Sequence, residues 1–422
     1  FPIFRSITGK GVEKTLRILK SEIKNLKIKK ISSGSKVYDW KVPPEWNIKD
    51  AYLMHVKSKK KYAQFKKNNL HIMGYSEPKN SILNLKGFLD RIYYNKKYPN
   101  AIPYVTSYYK RDWGFCMSYN QFKKLKKGNY KVFIDSIIKK GKMNYGEVLL
   151  KGRSKKEILI STYVCHPSLA NNELSGPLLT TFIIKKLKKL KKLNYSYRFV
   201  FVPETIGSIA YISRNIKNLK KNVISGYVLS CVGDNRNYSY ISSRFGNTLA
   251  DQSIEAALIG KKNVKPYSFL DRGSDERQYC SPGVDLPIVG FCRTKYGEYP
   301  EYHSSADNLS LINEKGFQGS FDTIMPIIDA FELGLKPKAT IKCEPQLGKR
   351  NLYFTPAKEK SHNNVVMGLE NHALQRKIRM NVLVYCDGKS NVFEISKIIN
   401  VPLNEVLKEL KILFSKSLIK FL

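Results

Sequence analysis

The chain has 422 residues, and its hydrophobic content of 42% with 12% aromatic residues excludes an intrinsically disordered protein. Its 74 Lys and Arg against 34 Asp and Glu give a formal net charge of +40. No apolar run approaches the roughly 20 residues of a membrane-spanning helix, and no segment has the pattern of a signal peptide. We therefore expect a globular cytoplasmic protein that does not enter a membrane.

The positive charge has two interpretations. Lysine runs such as those at residues 59–61 and 185–192 are consistent with a polyanionic partner, for example nucleic acid. The chain is also rich in Asn, Ile and Tyr, which favours a Lys-rich solvated surface with only weak, non-specific polyanion binding. The seven cysteines are scattered without a C-x-x-C pair, so they predict reduced thiols rather than a disulfide framework or a zinc knuckle.

The first 129 residues divide into two parts. Apolar residues at helical spacing, among them Val12, Leu16 and Leu19, predict a helix, and a turn-rich stretch ends this part at about residue 36. In residues 37–129 aromatic residues are dense and Pro and Gly are frequent, which is typical of short strands joined by turns. We expect a small, separate β-rich unit here.

Strands and helices alternate from residue 130 onward. The amphipathic pattern of residues 178–193 predicts a helix. Apolar runs predict buried strands at residues 158–163, 197–203 and 223–232. This alternation predicts an α/β domain with a mixed central sheet and flanking helices, formed by residues 1–36 and 130–350. The β-rich unit is then an insert in this domain.

Three polar side chains follow predicted strands, where functional residues of α/β sheets gather: His166, Glu204 and Asp234. His166 lies in C-H-P-S-L-A-N-N-E-L-S-G-P, and Asn172 and Glu173 follow within one turn-like segment. Imidazole and carboxylate groups are the ligands that a zinc site needs. Glu204 is either a Glu that caps the following helix or a general base that takes a proton from metal-bound water.

Two further segments concentrate polar residues. His303 lies in E-Y-H-S-S-A-D-N-L, where Tyr302 is either a packed aromatic residue or a donor to an oxyanion. The stretch G-S-D-E-R-Q contains Asp275, Glu276 and Arg277. It is either a surface salt-bridge cluster or a substrate site, in which Arg277 binds a carboxylate and an acidic neighbour holds an amine or a ligand histidine.

The last part of the chain, residues 366–422, predicts three short helices followed by a strand. This pattern is typical of a winged helix. A stretch rich in Pro, Lys and Asn precedes it and predicts a linker. No Arg-rich recognition helix stands out, and a similar lysine density occurs throughout the chain, so the pattern does not by itself predict a DNA reader.

In this order, the blocks resemble the zinc aminopeptidases of the phosphorylase/hydrolase-like fold. More closely, the whole chain resembles a bacterial aminopeptidase-like family that is often encoded with polysaccharide-biosynthesis genes. The matching stretches are F-P-I-F-R-S-I-T-G at residues 1–9 and the segments at residues 37–48, 103–116, 271–283 and 385–389. The resemblance implies an aminopeptidase-like domain with a small inserted domain and a C-terminal winged helix.

The resemblance also implies a changed metal site. The bridging Asp of the double-zinc enzymes is replaced by Asn172, the ligand Glu after the general base by Thr205, and the Asp ligand of the next strand falls near Ser230. The resemblance then implies one zinc ion per chain, Glu204 as general base, and three ligands: His166, Glu173 and His303. Further candidates for ligands or their hydrogen-bond partners are Asn172, Asp234 and Asp275.

We therefore predict a metal-dependent hydrolase of the aminopeptidase type that acts on a peptide or another small amide, as a monomer or a homo-oligomer. The alternative is a catalytically degenerate protein that senses a ligand or binds nucleic acid through its winged helix. Stoichiometric zinc would favour the enzyme, and salt-dependent DNA binding without a metal would favour the alternative.

Overall fold

The computed structural model describes residues 1–352 and 365–422. In these residues the helices, in chain order, are α1 (Lys10–Glu22), α2 (Tyr119–Phe122), α3 (Ser175–Leu187), α4 (Ile206–Asn222), α5 (Leu249–Leu258), α6 (Glu276–Tyr279), α7 (Glu314–Leu333), α8 (Val365–Val384), α9 (Val392–Ile399) and α10 (Leu403–Ser415). The strands, in the same order, are β1 (Lys27–Ser32), β2 (Lys36–Val37), β3 (Trp40–Lys41), β4 (Glu45–His55), β5 (Lys61–Tyr62), β6 (Lys79–Asn84), β7 (Ile92–Tyr93), β8 (Phe115–Cys116), β9 (Asn129–Lys139), β10 (Lys142–Leu150), β11 (Glu157–Tyr163), β12 (Ser196–Val202), β13 (Val223–Leu229), β14 (Tyr238–Ile241), β15 (Val264–Tyr267), β16 (Ile288–Cys292), β17 (Pro337–Ala339) and β18 (Ile419–Phe421).

An eight-stranded sheet forms the centre of the molecule, in the order β1-β10-β12-β11-β13-β16-β14-β15. Strands β12, β11, β13 and β16 are parallel neighbours, whereas β10 pairs antiparallel with β12 and β14 pairs antiparallel with β16. Every residue of β11 and β12 is buried, as parallel strands covered on both faces require. The predicted mixed sheet with flanking helices is confirmed.

The sheet separates two apolar cores. In β11, Ile158 and Ile160 pack in a cluster with α1, α3, α5 and α7, and Leu159 between them packs in a cluster with α4 and the inserted domain. This alternation follows from the period of two along a strand. Because both faces of the central strands are covered, polar side chains that act on a ligand are left to the strand ends.

The inserted domain has its own antiparallel sheet, in the order β5-β4-β9-β6. This second sheet continues through β9 to Lys139, and the exact domain limits remain a prediction. Two backbone hydrogen bonds join the insert to the loop after β16: Tyr104 N–H donates to His303 O (2.8 Å), and Ser305 N–H donates to Ile102 O (2.9 Å). The insert therefore helps to position His303.

The C-terminal unit consists of α8, α9, α10 and the antiparallel pair β17–β18, so the predicted winged helix is confirmed. Apolar residues of α10 are buried in the same cluster as those of α7: Leu403, Val406, Leu410 and Leu413. The winged helix therefore packs on the α/β domain as part of one core. In the described ranges, none of the helices combines the length and the apolar character needed to cross a bilayer.

Candidate functional site

Two of the predicted site residues follow neighbouring parallel strands. His166 lies three residues after the end of β11, and Glu204 lies two residues after the end of β12. Because these strands pair in parallel, the two side chains meet at one edge of the sheet, with His166 Nε2 3.5 Å from Glu204 Oε2. His303 approaches from the loop after β16, and its ring centroid lies 5.1 Å from that of His166.

Glu173 lies on the opposite edge of the His166 ring. Its Oε2 accepts the backbone N–H of His166 (2.8 Å) and lies 3.3 Å from Nδ1. Cys165 Sγ is 3.6 Å from the same nitrogen, so Cys165, His166 and Glu173 offer three donor atoms within 4.8 Å of one another. The His166 imidazole thus has a carboxylate at each nitrogen: Glu173 at Nδ1 and Glu204 at Nε2.

The two histidines have opposite pKa shifts. Burial lowers the pKa of His166, but Cys165, Glu173 and Glu204 outweigh burial and raise the pKa above its ordinary value. Burial, and then the charge of His166, lower the pKa of His303. His303 is therefore neutral, and its buried Nε2 has no hydrogen-bond partner among the described residues. A neutral imidazole with a free nitrogen is the form that binds a metal ion.

Asn172 and Asp234 have different surroundings. Asn172 Nδ2 donates to Tyr163 Oη (2.7 Å), whereas in the part of the chain that the structure describes its buried Oδ1 has no hydrogen-bond partner. Asp234 accepts hydrogen bonds at both oxygens, from Asn171 Nδ2 (3.0 Å) and from the backbone (3.0 Å) and hydroxyl (2.7 Å) of Thr294. The free oxygen of Asn172 is available to a ligand, but the carboxylate of Asp234 is already occupied in joining two loops.

Glu204 is held in position and is partly open to solvent. Ser274 Oγ donates to Glu204 Oε1 at 2.7 Å, and 21% of the Glu204 side chain is exposed. The next residue, Thr205, has a φ of 62°, which costs a non-glycine residue about 1–3 kcal/mol. Asp275 Oδ1 stabilises this conformation by accepting the Thr205 N–H at 2.8 Å. Burial and the charge of Glu204 raise the pKa of Asp275 to about 7.

The two predicted substrate-binding residues, Arg277 and Tyr302, contact Thr205 and His303. Arg277 Nη2 donates to Thr205 Oγ1 at 2.6 Å. The Tyr302 ring stacks on His303, with centroids 3.9 Å apart and planes at 13°. Burial, and then the charge of Glu204, raise the pKa of Tyr302, so its phenol stays neutral. Both residues therefore lie close to the site.

Asp307, which the sequence interpretation missed, joins two parts of the site. Its buried carboxylate accepts three successive backbone N–H groups: those of Ala170, Asn171 and Asn172. These amides begin the turn Ala170–Leu174 that carries Glu173, and Asp307 itself follows His303 by four residues. Burial outweighs the three donors and raises the pKa of Asp307 to about 6. The only signal in the sequence was its place in the block that contains His303.

Arg5 and Tyr104 also reach the site, from distant segments of the chain. The buried guanidinium of Arg5 lies 3.7 Å from Glu173 Oε1. Tyr104 of the inserted domain contacts both imidazoles, with ring centroids 5.4 Å from His166 and 5.2 Å from His303. Both residues lie in stretches that carry the family resemblance, but nothing in their spacing along the chain indicates these contacts.

Comparisons with known proteins assign the chain to a family. A family model described as a domain of unknown function (DUF4910) matches residues 1–334, and a model described as a winged helix-turn-helix matches residues 336–421. The chain belongs to the DUF4910 family. A relative from Clostridium acetobutylicum, a candidate polysaccharide biosynthesis protein with an aminopeptidase-like domain, is 43% identical over 405 residues, which span 94% of this chain and 88% of the relative.

Solved structures agree with this assignment. The crystal structure of a candidate peptidase from Clostridium acetobutylicum aligns with this DUF4910 chain at a TM-score of 0.89 and 39% identity. The alignment covers 100% of this chain and 94% of the peptidase chain. A zinc aminopeptidase from Bacillus subtilis has a TM-score of 0.56 at 13% identity, over 77% and 90% of the two chains, which shows the fold alone. The predicted aminopeptidase-like family and fold are confirmed.

Proposed function

We propose that the protein is a metal-dependent hydrolase of the aminopeptidase type, which cleaves the amide bond of a peptide or of another small molecule. The observation that carries this proposal is the meeting of His166, His303 and Glu204 at the carboxyl edge of two parallel strands. The unpartnered His303 Nε2 supplies a free ligand atom. Imidazoles are ligands that zinc takes, so His166 and His303 fit one zinc ion per chain, whose remaining positions the free Asn172 Oδ1, a carboxylate or water would fill.

The two carboxylates beside His166 have different tasks in this proposal. Glu173 accepts the hydrogen bond of Nδ1–H and so presents Nε2 to the metal, as carboxylates commonly do next to metal-binding histidines. The sequence predicts Glu173 as a ligand instead. That role requires its Oε1 to turn away from Arg5, which lies 3.7 Å from it. We therefore favour Glu173 as the residue that orients His166, and we keep its role as third ligand as the alternative to be tested.

A zinc ion held by His166 and His303 would supply a Lewis acid and would lower the pKa of a water molecule to about 7. Glu204 is the proposed general base, because its Oε1 is held by Ser274, its Oε2 faces His166, and its partial exposure lets a water molecule reach it. As general base, Glu204 takes a proton from the water molecule that attacks the amide carbonyl, and it gives this proton to the amine that leaves when the C–N bond breaks. Tyr302, stacked on His303, restrains the orientation of that imidazole.

A small amide is the proposed substrate. His166 and Glu173 are buried and only part of Glu204 is exposed, which favours a small reacting group. The Clostridium relative bears the name of a polysaccharide biosynthesis protein, so acylated amino sugars are a second substrate class to test beside peptides. The cytoplasmic location expected from the sequence remains part of this proposal.

The test is the metal content and the activity of matched variants. We expect about one zinc ion per purified chain, which His303→Ala should lose and Cys165→Ser should keep. Glu204→Gln should keep the metal while the rate on any substrate falls by on the order of 10²–10⁴. Glu173→Gln should keep the metal if Glu173 orients His166, and should lose it if Glu173 is a ligand.

Four outcomes would contradict parts of this proposal. Two tightly bound metal ions, or none after purification without a chelator, would exclude the single zinc site. Loss of the metal from Cys165→Ser, with retention in His303→Ala, would move the site to the Nδ1 edge of His166. Full activity of Glu204→Gln would exclude Glu204 as the general base.

Nucleic-acid binding through the winged helix is the alternative, and it has weaker support. In helix-turn-helix proteins the recognition helix must be free to enter the major groove. One side of α10 is buried in the core that it shares with the α/β domain, and its exposed side contains only two lysines, Lys408 and Lys411. We therefore propose that the winged helix is a packing or partner module rather than a DNA reader.

A further inference from the structure

The guanidinium of Arg277 forms a single hydrogen bond in the described part of the chain. Nη2 donates to Thr205 Oγ1 at 2.6 Å, whereas Nε is buried and has no hydrogen-bond partner in residues 1–352 and 365–422. Within the described part of the chain, Arg277 forms no ion pair with a carboxylate. Guanidinium offers five N–H donors in a planar fork, so most of its capacity is unused.

The four buried arginines of the described residues each have several acceptors. Arg5, Arg198 and Arg379 have a carboxylate within 4.0 Å, whereas Arg293 donates to the backbone carbonyls of Asn237 (2.6 Å) and Gly316 (2.9 Å). A guanidinium withdrawn from water is unfavourable without such acceptors. Arg277 is partly buried and has a single hydroxyl acceptor among the described residues, so its remaining N–H groups are available to an anion that these residues do not supply.

Hydrogen bonds fix the backbone just before Arg277, so the position of its guanidinium is defined. Glu276 Oε1 accepts the backbone N–H groups of Gly273 (2.9 Å) and Ser274 (3.0 Å), and Ser274 Oγ in turn binds Glu204. Because these bonds fix the start of α6, little conformational entropy remains to be lost when a ligand binds Arg277. Ser274 binds the proposed general base Glu204, and Arg277 binds Thr205, which follows Glu204 in the chain. These hydrogen bonds connect Arg277 to the proposed general base.

We propose that Arg277 binds an anionic group of the substrate, a carboxylate or a phosphate, next to the amide bond that reaches Glu204. Planar carboxylate and phosphate groups match the fork of a guanidinium in a bidentate way. The substrate is then an acidic amide, such as an amide with an adjacent carboxylate. This inference rests on the proposed hydrolase function for the amide, whereas anion binding at Arg277 does not require turnover.

The test compares two small probes that differ in charge. N-acetylaspartate and its neutral diamide are titrated against the full-length protein by calorimetry at constant ionic strength. We expect the charged probe to bind roughly 10- to 100-fold more tightly, because a hydrogen bond to a charged group is worth about 1.5–3 kcal/mol. Arg277→Gln should remove this preference, and Arg277→Lys, which keeps the charge without the fork, should retain part of it. Competition by inorganic phosphate then distinguishes a phosphate-binding from a carboxylate-binding site.

Arg272→Gln is the matched control, since this exposed arginine lies in the same segment and its hydrogen bond goes only to Phe269 O. Its preference for the charged probe should equal that of the wild type. The proposal is wrong if Arg277→Gln retains the preference for the charged probe, or if Arg272→Gln loses that preference equally. It is also wrong if Arg277→Gln weakens the binding of both probes alike, because Arg277 would then serve only to hold Thr205. If Arg277→Gln does not fold, Arg277→Lys must still lower the preference.

Metal content and hydrolysis of both probes, measured on the same preparations, separate this inference from the proposed function. A preference that depends on Arg277, in a protein without metal or turnover, would support the anion site and contradict the hydrolase. Turnover of the neutral probe that is insensitive to Arg277→Gln, without any preference for charge, would support the hydrolase and contradict the anion site.

Discussion

Replacing Asp307 by Ala should destabilise the protein strongly, because one buried carboxylate holds the turn that carries Glu173. Its oxygens accept four hydrogen bonds: from the N–H groups of Ala170 (3.0 Å), Asn171 (2.6 Å) and Asn172 (2.9 Å) and from Tyr299 Oη (3.2 Å). A buried donor left without a partner costs about 1–3 kcal/mol. Since water can enter the space left by the carboxylate, we expect a loss of roughly 3–5 kcal/mol in the free energy of unfolding.

Urea unfolding with the slope held common to all variants measures this loss, and metal analysis of the same samples follows the site. Asp322→Ala is the control, because Asp322 is exposed and accepts one hydrogen bond from Gln318. Its effect should stay within about 0.5 kcal/mol. A loss below about 1 kcal/mol for Asp307→Ala, with metal binding unchanged, would refute the argument that its hydrogen bonds hold the turn.

Two further predictions test packing and charge. Gly176→Ala should cost about 1–3 kcal/mol of stability, because its new Cβ would lie 2.2 Å from Thr162 Oγ1 and 2.5 Å from Leu229 O. Gly87→Ala is the control, and because Gly87 has open space around it, this change should shift the unfolding midpoint little. Exchanging Lys408 and Lys411 for Glu should weaken DNA binding no more than the same exchange at residues 59 and 60. Titration with DNA at several salt concentrations measures this difference. A larger loss of DNA affinity from the exchange in α10 would favour the nucleic-acid alternative.

The central sheet could be predicted because its signal is local. The apolar runs of β11 and β12 are long enough to require burial on both faces, and a helical pattern lies between them. Parallel pairing then brings the residues after both strands to one edge. This is why His166 and Glu204 could be predicted to lie near each other, although 38 residues separate them.

The partners of these residues could not be predicted, because they come from segments far away in the chain. Asp307 binds amides that precede it by up to 137 residues, and Arg5 contacts Glu173 only after α1 and the sheet have packed. His303 is positioned in part by backbone hydrogen bonds from the inserted domain, at Tyr104. Such contacts depend on how whole elements pack, and they leave no period or spacing in the sequence.

The sequence by itself determined the fold class, the winged helix and the edge of the sheet where polar residues gather, because burial of apolar runs decides all three. Only the tertiary structure decided which carboxylate faces which nitrogen of His166, and that Arg277 has no anionic partner among the described residues. Both depend on the directions of side chains from β11, β12, the turn at Glu173 and α6, and these directions are set when the elements pack together.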